Sequence, residues 1–269
     1  KLTPALILAI EAAATKQELE DIYLPFKLKR RTKGQMAREA GLEPLADALF
    51  AQPNLDVALE ALPYVQAIKP EDGADFTTVL LVLDGVRDIL SERWAEDAKL
   101  VQLMREWLWS NGELQSKLAN SGSLKGKNET DPEIAKFRDY FDYSEPIARV
   151  PSHRALAVFR GRGLELLDVK VLIPTDPEDA KAATFSALAE GRIAAHLKWT
   201  NQDRGSDALI KKTILWTWRV KLSLSTERDL LTRLREDAEK VATKVFADNL
   251  RDLLLAAPAG PKAVMGLDP

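Results

Sequence analysis

Between about Thr226 and Ala256, apolar residues recur at steps of three and four: Leu231, Leu234, Ala238, Val241 and Val245, then Phe246, Leu250, Leu253 and Ala257. Such steps line one face of an α-helix. Arg233, Arg235, Glu236, Asp237, Glu239 and Lys240 fall between them, as a solvated side would. At ~1.5 Å per residue this stretch is a rod of roughly 45 Å, longer than a small domain is wide. Ser225 and Thr226 read as its cap, Glu227 and Asp229 put negative charge in its first turn, and Pro258 stops it. A rod of this length with one apolar stripe calls for other helices to cover it. The expectation is an all-α fold: a multi-helix scaffold around one long C-terminal helix, with at most one or two short strands and the face from Leu231 to Leu253 packed.

Of the 269 residues, 46% are hydrophobic and 29% charged, enough material for a packed core. A net charge of -3 gives no global attraction to nucleic acid, so any such binding must come from a local patch. With no cysteine, disulfides, thiol catalysis and cysteine-ligated metal are excluded. No apolar run approaches the ~20 residues of a membrane span, and no signal-peptide pattern opens the chain. The first residue is Lys1, and both ends read as cut from a longer sequence.

Residues 3–14 carry Leu6, Ile7, Ile10, Ala13 and Ala14 at helical spacing, and Thr15-Lys16-Gln17-Glu18 is a capping-box pattern opening a short helix before Pro25. From Lys27 to Lys33, five of seven residues are cationic. Two short helices, 35–40 and 43–51, meet at Gly41. Their outline is that of a helix-turn-helix, but Glu43 and Asp47 on the second are wrong for a groove-reading helix, and a plain hairpin is expected. Residues 73–111 form two amphipathic pieces ending at Gly112. Trp107 and Trp109 fit a core role better than a stacking platform for bases. Residues 120–131 are the clearest loop, and a helix is expected from Pro132 to about Tyr140. Another opens at Pro151-Ser152-His153-Arg154, and Leu167, Val169, Val171 and Ile173 mark a strand. Helices at 177–197 and 206–222 lead to the rod. The expected organisation is a helical region over 1–119, the loop 120–131, a second helical region over 132–257, and a linker with one strand over 258–269.

Signals for chemistry are sparse. His153 and His196 are the two histidines, and neither has a ligand partner at helical spacing. Gly161-Arg162-Gly163 precedes a strand instead of following one, the wrong context for a dinucleotide site. No catalytic residue, metal or cofactor is expected. Two basic clusters are candidate phosphate contacts: Lys27, Lys29, Arg30, Arg31 and Lys33, and then Arg154, Arg160 and Arg162. Cations of this kind give sequence-independent affinity by releasing counterions.

Several blocks resemble one family. They are Glu20-Asp21-Ile22-Tyr23-Leu24-Pro25-Phe26-Lys27 with Arg30-Arg31-Thr32-Lys33-Gly34-Gln35, Lys136-Phe137-Arg138-Asp139-Tyr140-Phe141, Pro151-Ser152-His153-Arg154-Ala155-Leu156-Ala157, Trp216-Thr217-Trp218-Arg219-Val220-Lys221-Leu222, and 246–261 closed by Gly266-Leu267-Asp268-Pro269. The family is Tex, the bacterial transcription accessory proteins related to a eukaryotic elongation factor, and the similarity runs along essentially the whole chain. After Phe159-Arg160-Gly161-Arg162 the family continues with an Asn-Glu-Gly turn, where this chain has Gly163-Leu164. The resemblance implies a cytoplasmic protein that binds nucleic acid and assists transcription. It also implies that 258–269 opens an RNase H-like domain, followed by helix-hairpin-helix elements and an RNA-binding OB-fold. This region would then be its non-catalytic helical scaffold, making auxiliary contacts to RNA or DNA. Two alternatives stand beside it: a docking module for the transcription machinery without nucleic-acid contact, and part of a nuclease- or resolvase-like enzyme whose site begins at Asp268.

Overall fold

Threonine and aspartate hydroxyls and carboxylates set many of the helix starts. Thr3 accepts from the Leu6 N–H, Thr32 from Gln35, Thr78 from Leu81, and Asp97 from Lys99 and Leu100. At Thr15 the expected capping box forms: its hydroxyl accepts from the Glu18 N–H at 3.2 Å, and the Glu18 carboxylate accepts from the Ala14 N–H at 2.7 Å.

The computed structural model describes residues 3–23, 31–68, 73–119, 131–174, 184–258, 260–263 and 265–266. Before the first strand it has α1 (Pro4–Ala12), α2 (Lys16–Tyr23), α3 (Lys33–Glu39), α4 (Glu43–Ala51), α5 (Val57–Ala61), α6 (Val79–Ala95) and α7 (Ala98–Asn111). Then come β1 (Glu113–Leu118), α8 (Pro132–Ala135), β2 (Asp142–Pro146), α9 (Ser152–Gly163) and β3 (Leu167–Leu172). Last are α10 (Phe185–His196), α11 (Asp207–Trp216) and α12 (Ser223–Leu255). Helix dominates, as expected for the fold class. Two compact units divide these elements: Lys1–Glu113 with Val171–Leu230, and Leu114–Lys170 with Leu231–Pro269.

The first unit is built around α6, which is buried over most of its length from Val82 to Trp94. Helix α3 approaches it at Gly34, where a Cβ would lie 2.3 Å from the Glu92 carboxylate and 2.9 Å from the Asp88 carbonyl. The chain leaves α3 through Gly41 at φ 80°, with Leu42 N–H bonded to Ala37 C=O and Gly41 N–H to Arg38 C=O. This is a Schellman stop, and it makes the α3–α4 pair a hairpin lying on α6. Glu43 and Asp47, the acids that argued against groove reading, pair with Arg93 of α6 at 3.1 and 2.6 Å. Trp107 is core, in a ring cluster with Phe185 and Trp218.

In the second unit a three-stranded sheet has the order β2-β1-β3. Strand β1 went unseen in the sequence because polar Ser116 occupies its buried centre, where its hydroxyl donates to Tyr140 C=O at 2.9 Å. Strand β2, Asp142–Pro146, has no aliphatic or β-branched residue and reads as loop. The single helix expected from Pro132 to Tyr140 breaks after Ala135 and ends as a 3-10 turn, Arg138–Tyr140. Phe137, at φ -104° and ψ 9°, leaves the helical region at the break, and both Ile134 and Phe137 are buried.

The long helix differs from expectation at both ends. Ser225 and Thr226 do not start it. Helix α11 continues through a π turn, Thr217–Leu222, directly into α12, and the Ser223 N–H donates to Trp218 C=O five residues back. Hydroxyls that would cap a helix start bond backwards instead: Thr213 to Leu209 C=O, Thr217 to Thr213 C=O, and Ser225 to Leu222 C=O. At the other end, Leu230, Leu231, Leu234 and Ala238 are buried, but Val241, Val245, Phe246, Leu250 and Leu253 are 42–73% exposed. The apolar stripe is continuous in sequence and covered only along its first part. Replacing Leu234 with alanine is therefore expected to cost about 2–3 kcal/mol and lower the melting temperature by several degrees, while Leu250→Ala leaves the melt of this chain unchanged. Thermal melts followed by circular dichroism check both.

Candidate nucleic-acid interface

Of the first basic cluster, Lys27, Lys29 and Arg30 lie outside the described residues, as does Asp268. Arg31 precedes α3 and turns onto it, its Nε and Nη2 donating to Glu39 Oε2 at 2.9 and 2.6 Å. The Arg31 guanidinium, with Gln35 behind it, holds the Glu39 carboxyl below its usual range. Lys33 is exposed in the first turn of α3, where a cation gains nothing from the helix dipole. This cluster belongs to the first unit.

Arg154, Arg160 and Arg162 share one helix of the second unit. Helix α9 buries Ala155, Val158 and Gly161 on a single face. Gly161 is required by that contact: a Cβ there would sit 2.5 Å from Leu167 Cδ1 and 3.1 Å from Phe137 Cδ1. The helix ends in another Schellman stop, with Leu166 N–H on Gly161 C=O and Glu165 at φ 57°. Residues 147–163 hold Arg149, Arg154, Arg160 and Arg162 and no acidic residue. Arg160 and Arg162 sit in the last turn, where the helix dipole favours cations.

Arg154 is already engaged. Its Nη1 donates to Glu145 Oε2 at 3.2 Å, and the Tyr143 hydroxyl donates to the same oxygen. Burial, reinforced by the Glu145 carboxylate, pushes the Tyr143 hydroxyl well above its ordinary value. Arg160 instead borders a cavity of about 650 Å³ within this unit. Ile134, Phe137 and Leu166 supply buried apolar lining; Lys136, Arg160 and Glu133 are the charged groups around it. Lys136 and Phe137 had no chemical signal in the sequence, because a Lys-Phe pair on a short helical turn is unremarkable by composition.

The two histidines serve elsewhere or stand alone. His196 Nε2 lies 2.7 Å from Asp97 Oδ2, and Asp97 also caps α7. Burial would raise the Asp97 carboxyl, but His196 and the Leu100 and Lys99 N–H groups outweigh it and leave the carboxyl below its ordinary value. His153 is exposed on α9. Among the described residues no group of three or more His, Cys, Asp or Glu side chains is arranged to hold a metal ion, and no helix is long and apolar enough to cross a membrane.

The first unit is thus a set of helices on α6, and the second a small sheet with the arginine-bearing helix α9. A family model described as Tex central region-like matches residues 52–246. Protein tex of Bordetella pertussis is 50% identical over the whole of this chain, which covers 32% of it. The transcriptional accessory protein Tex of Neisseria gonorrhoeae is 44% identical, again over the whole chain and 33% of its own length. The human S1 RNA-binding domain-containing protein 1 is 30% identical over the whole chain and 26% of its own length. The chain belongs to the Tex family. It spans between a quarter and a third of the length of these relatives.

Proposed function

We propose that this chain is the non-catalytic helical scaffold of a Tex-like transcription accessory protein, acting in the cytoplasm and lending auxiliary, sequence-independent phosphate contacts to RNA or DNA. The observation that carries this reading is the end-to-end match to relatives named for transcription and, in the human case, for an S1 RNA-binding domain. The acid-free arginine helix α9 supports it from the chain's own residues. Lys27, Lys29, Arg30, Arg31 and Lys33 would add contacts, with Arg31 restrained by Glu39 and Arg154 by Glu145. No small-molecule substrate or cofactor is part of the reading.

Fluorescence anisotropy of residues 1–269 with labelled RNA and DNA, titrated with salt, tests it. Each phosphate contact contributes about -0.9 to the slope of log K against log salt on duplex DNA, somewhat less on single strands. With two of the eight candidate cations committed to carboxylates, a slope of roughly -2 to -3 is expected. Arg160→Ala/Arg162→Ala should flatten it by about 1, while the exposed pair Lys211→Ala/Lys212→Ala leaves it nearly unchanged. Equal losses in both doubles would reduce the effect to net charge. No binding even at low salt would favour the docking-module reading, for which the exposed Phe246, Leu250 and Leu253 already speak.

A further inference from the structure

The cavity bordered by Arg160 combines two surfaces that seldom meet by accident. Its depth is apolar, formed by Ile134, Phe137 and Leu166, and Leu164 adds a 56% exposed apolar lip. Around it stand two exposed cations, Lys136 and Arg160, against one carboxylate, Glu133, a net positive rim. A volume of about 650 Å³ lies in the range of small-molecule sites. A ligand suited to both parts has a compact apolar body with negative charge beside it.

An unstacked nucleobase flanked by its phosphates has that form. In a duplex the base is held in the stack, so the matching ligand is a single strand, whose bases can turn outward onto apolar side chains. The segment that carries Arg160 is itself rich in cations, with Arg149, Arg154 and Arg162 and no acidic residue over 147–163, Arg154 being paired with Glu145. A phosphate backbone repeats its charge along its length and so suits a segment that repeats arginine without acids. A peptide with a leucine anchor would fill the apolar part equally well, but carries charge only where its sequence happens to. We infer that this cavity receives one base of a single-stranded nucleic acid, with Arg160 and Lys136 on the neighbouring phosphates. This rests on the nucleic-acid reading above and adds to it a strand preference and a base-binding site.

The experiment compares two five-unit DNA strands with identical phosphates, one of thymidines and one fully abasic, by anisotropy at low salt. Stacking one base on protein is worth about 1–3 kcal/mol, so the thymidine strand should bind about 5- to 160-fold more tightly to wild type. Ala157→Phe, which fills the cavity wall, should bring the thymidine strand down to the abasic affinity and leave the abasic strand unaffected. If that variant melts early, Leu164→Ser at the exposed lip replaces it and should lower the same ratio. Equal binding of both strands to wild type overturns the base site while the phosphate-binding reading stands. Failure of both strands to bind removes that reading and the inference together. A leucine-bearing acidic peptide that binds wild type but not Ala157→Phe, with both strands silent, would make the cavity a peptide site and overturn the inference.

Discussion

Arg105→Leu is expected to destabilise the chain by about 3–5 kcal/mol, because it removes the counter-charge of two carboxylates rather than one contact. Arg105 of α7 is 8% exposed and donates to Asp21 Oδ2 and Oδ1 at 2.8 and 3.1 Å and to Asp229 Oδ2 at 2.9 Å. One guanidinium thus joins α2, α7 and the first turns of α12, partners 84 and 124 residues away in sequence. Burial would lower its pKa, and the two carboxylates more than compensate, so the charge is held more firmly than in a free arginine. Leucine restores apolar volume but takes the bidentate guanidinium away from Asp21, 6% exposed at its side chain. Urea unfolding measures the loss. In Asp21→Asn/Arg105→Leu, the losses should fall short of additive, since the two changes remove opposite charges of one pair. A loss below about 1 kcal/mol for Arg105→Leu would mean that the site relaxes and readmits water.

Asp207→Asn should cost a similar amount, about 3–5 kcal/mol, for a different reason. The Asp207 carboxylate is 1% exposed and accepts from Trp199 Nε1 at 3.0 Å and from the Gln202 and Arg204 N–H groups at 2.8 and 3.0 Å. It also accepts from Arg204 Nε and Nη2, both at 2.9 Å. Five donors converge on two oxygens. In asparagine one oxygen becomes an NH2 that points donors at donors, and each buried group left unmatched costs about 1–3 kcal/mol. Hydrogen bonding from Arg204, against burial, holds the carboxyl well below its usual range. Its contribution is therefore complete above the unfolded value of about 3.9 and is lost as the pH falls below that. The stability gap between wild type and Asp207→Asn should stay flat from about pH 5 to 8 and narrow below pH 4. A gap that instead widened in acid would contradict the assignment.

What the sequence made legible was periodicity and punctuation. The α3–α4 hairpin was readable because its stop falls on Gly41, which takes a positive φ without strain. The stops after α9 and α10 use the same geometry with Glu165 at φ 57° and Lys198 at φ 55°, residues that give no such sign. Strand β3 alternates Leu167, Val169 and Val171 inward and was seen; β1 has Ser116 at the matching place and was not. For the basic cluster, residue type indicated positive charge but not its commitments. That Arg31 is tied to Glu39 and Arg154 to Glu145 depends on contacts eight and nine residues apart, outside any helical register. The cavity beside Arg160 draws on residues from 133 to 166, brought together by the break after Ala135 and the close approach at Gly161.

The π turn between α11 and α12 also bears on how the length of such a chain can vary. A turn closed by a bond to the fifth residue back holds one residue more than an α turn, while the helix on either side keeps its phase. Thr217, Trp218 and Leu222 in this turn are buried, whereas Arg219 and Val220 face solvent. A homologue missing one residue at Val220 would close the turn as ordinary α-helix, and its flanking side chains would still meet the same neighbours. A one-residue deletion elsewhere in α11 would rotate everything beyond it by about 100°. Gaps among relatives in this helix should accordingly gather at 219–220, where length can change without loss of register.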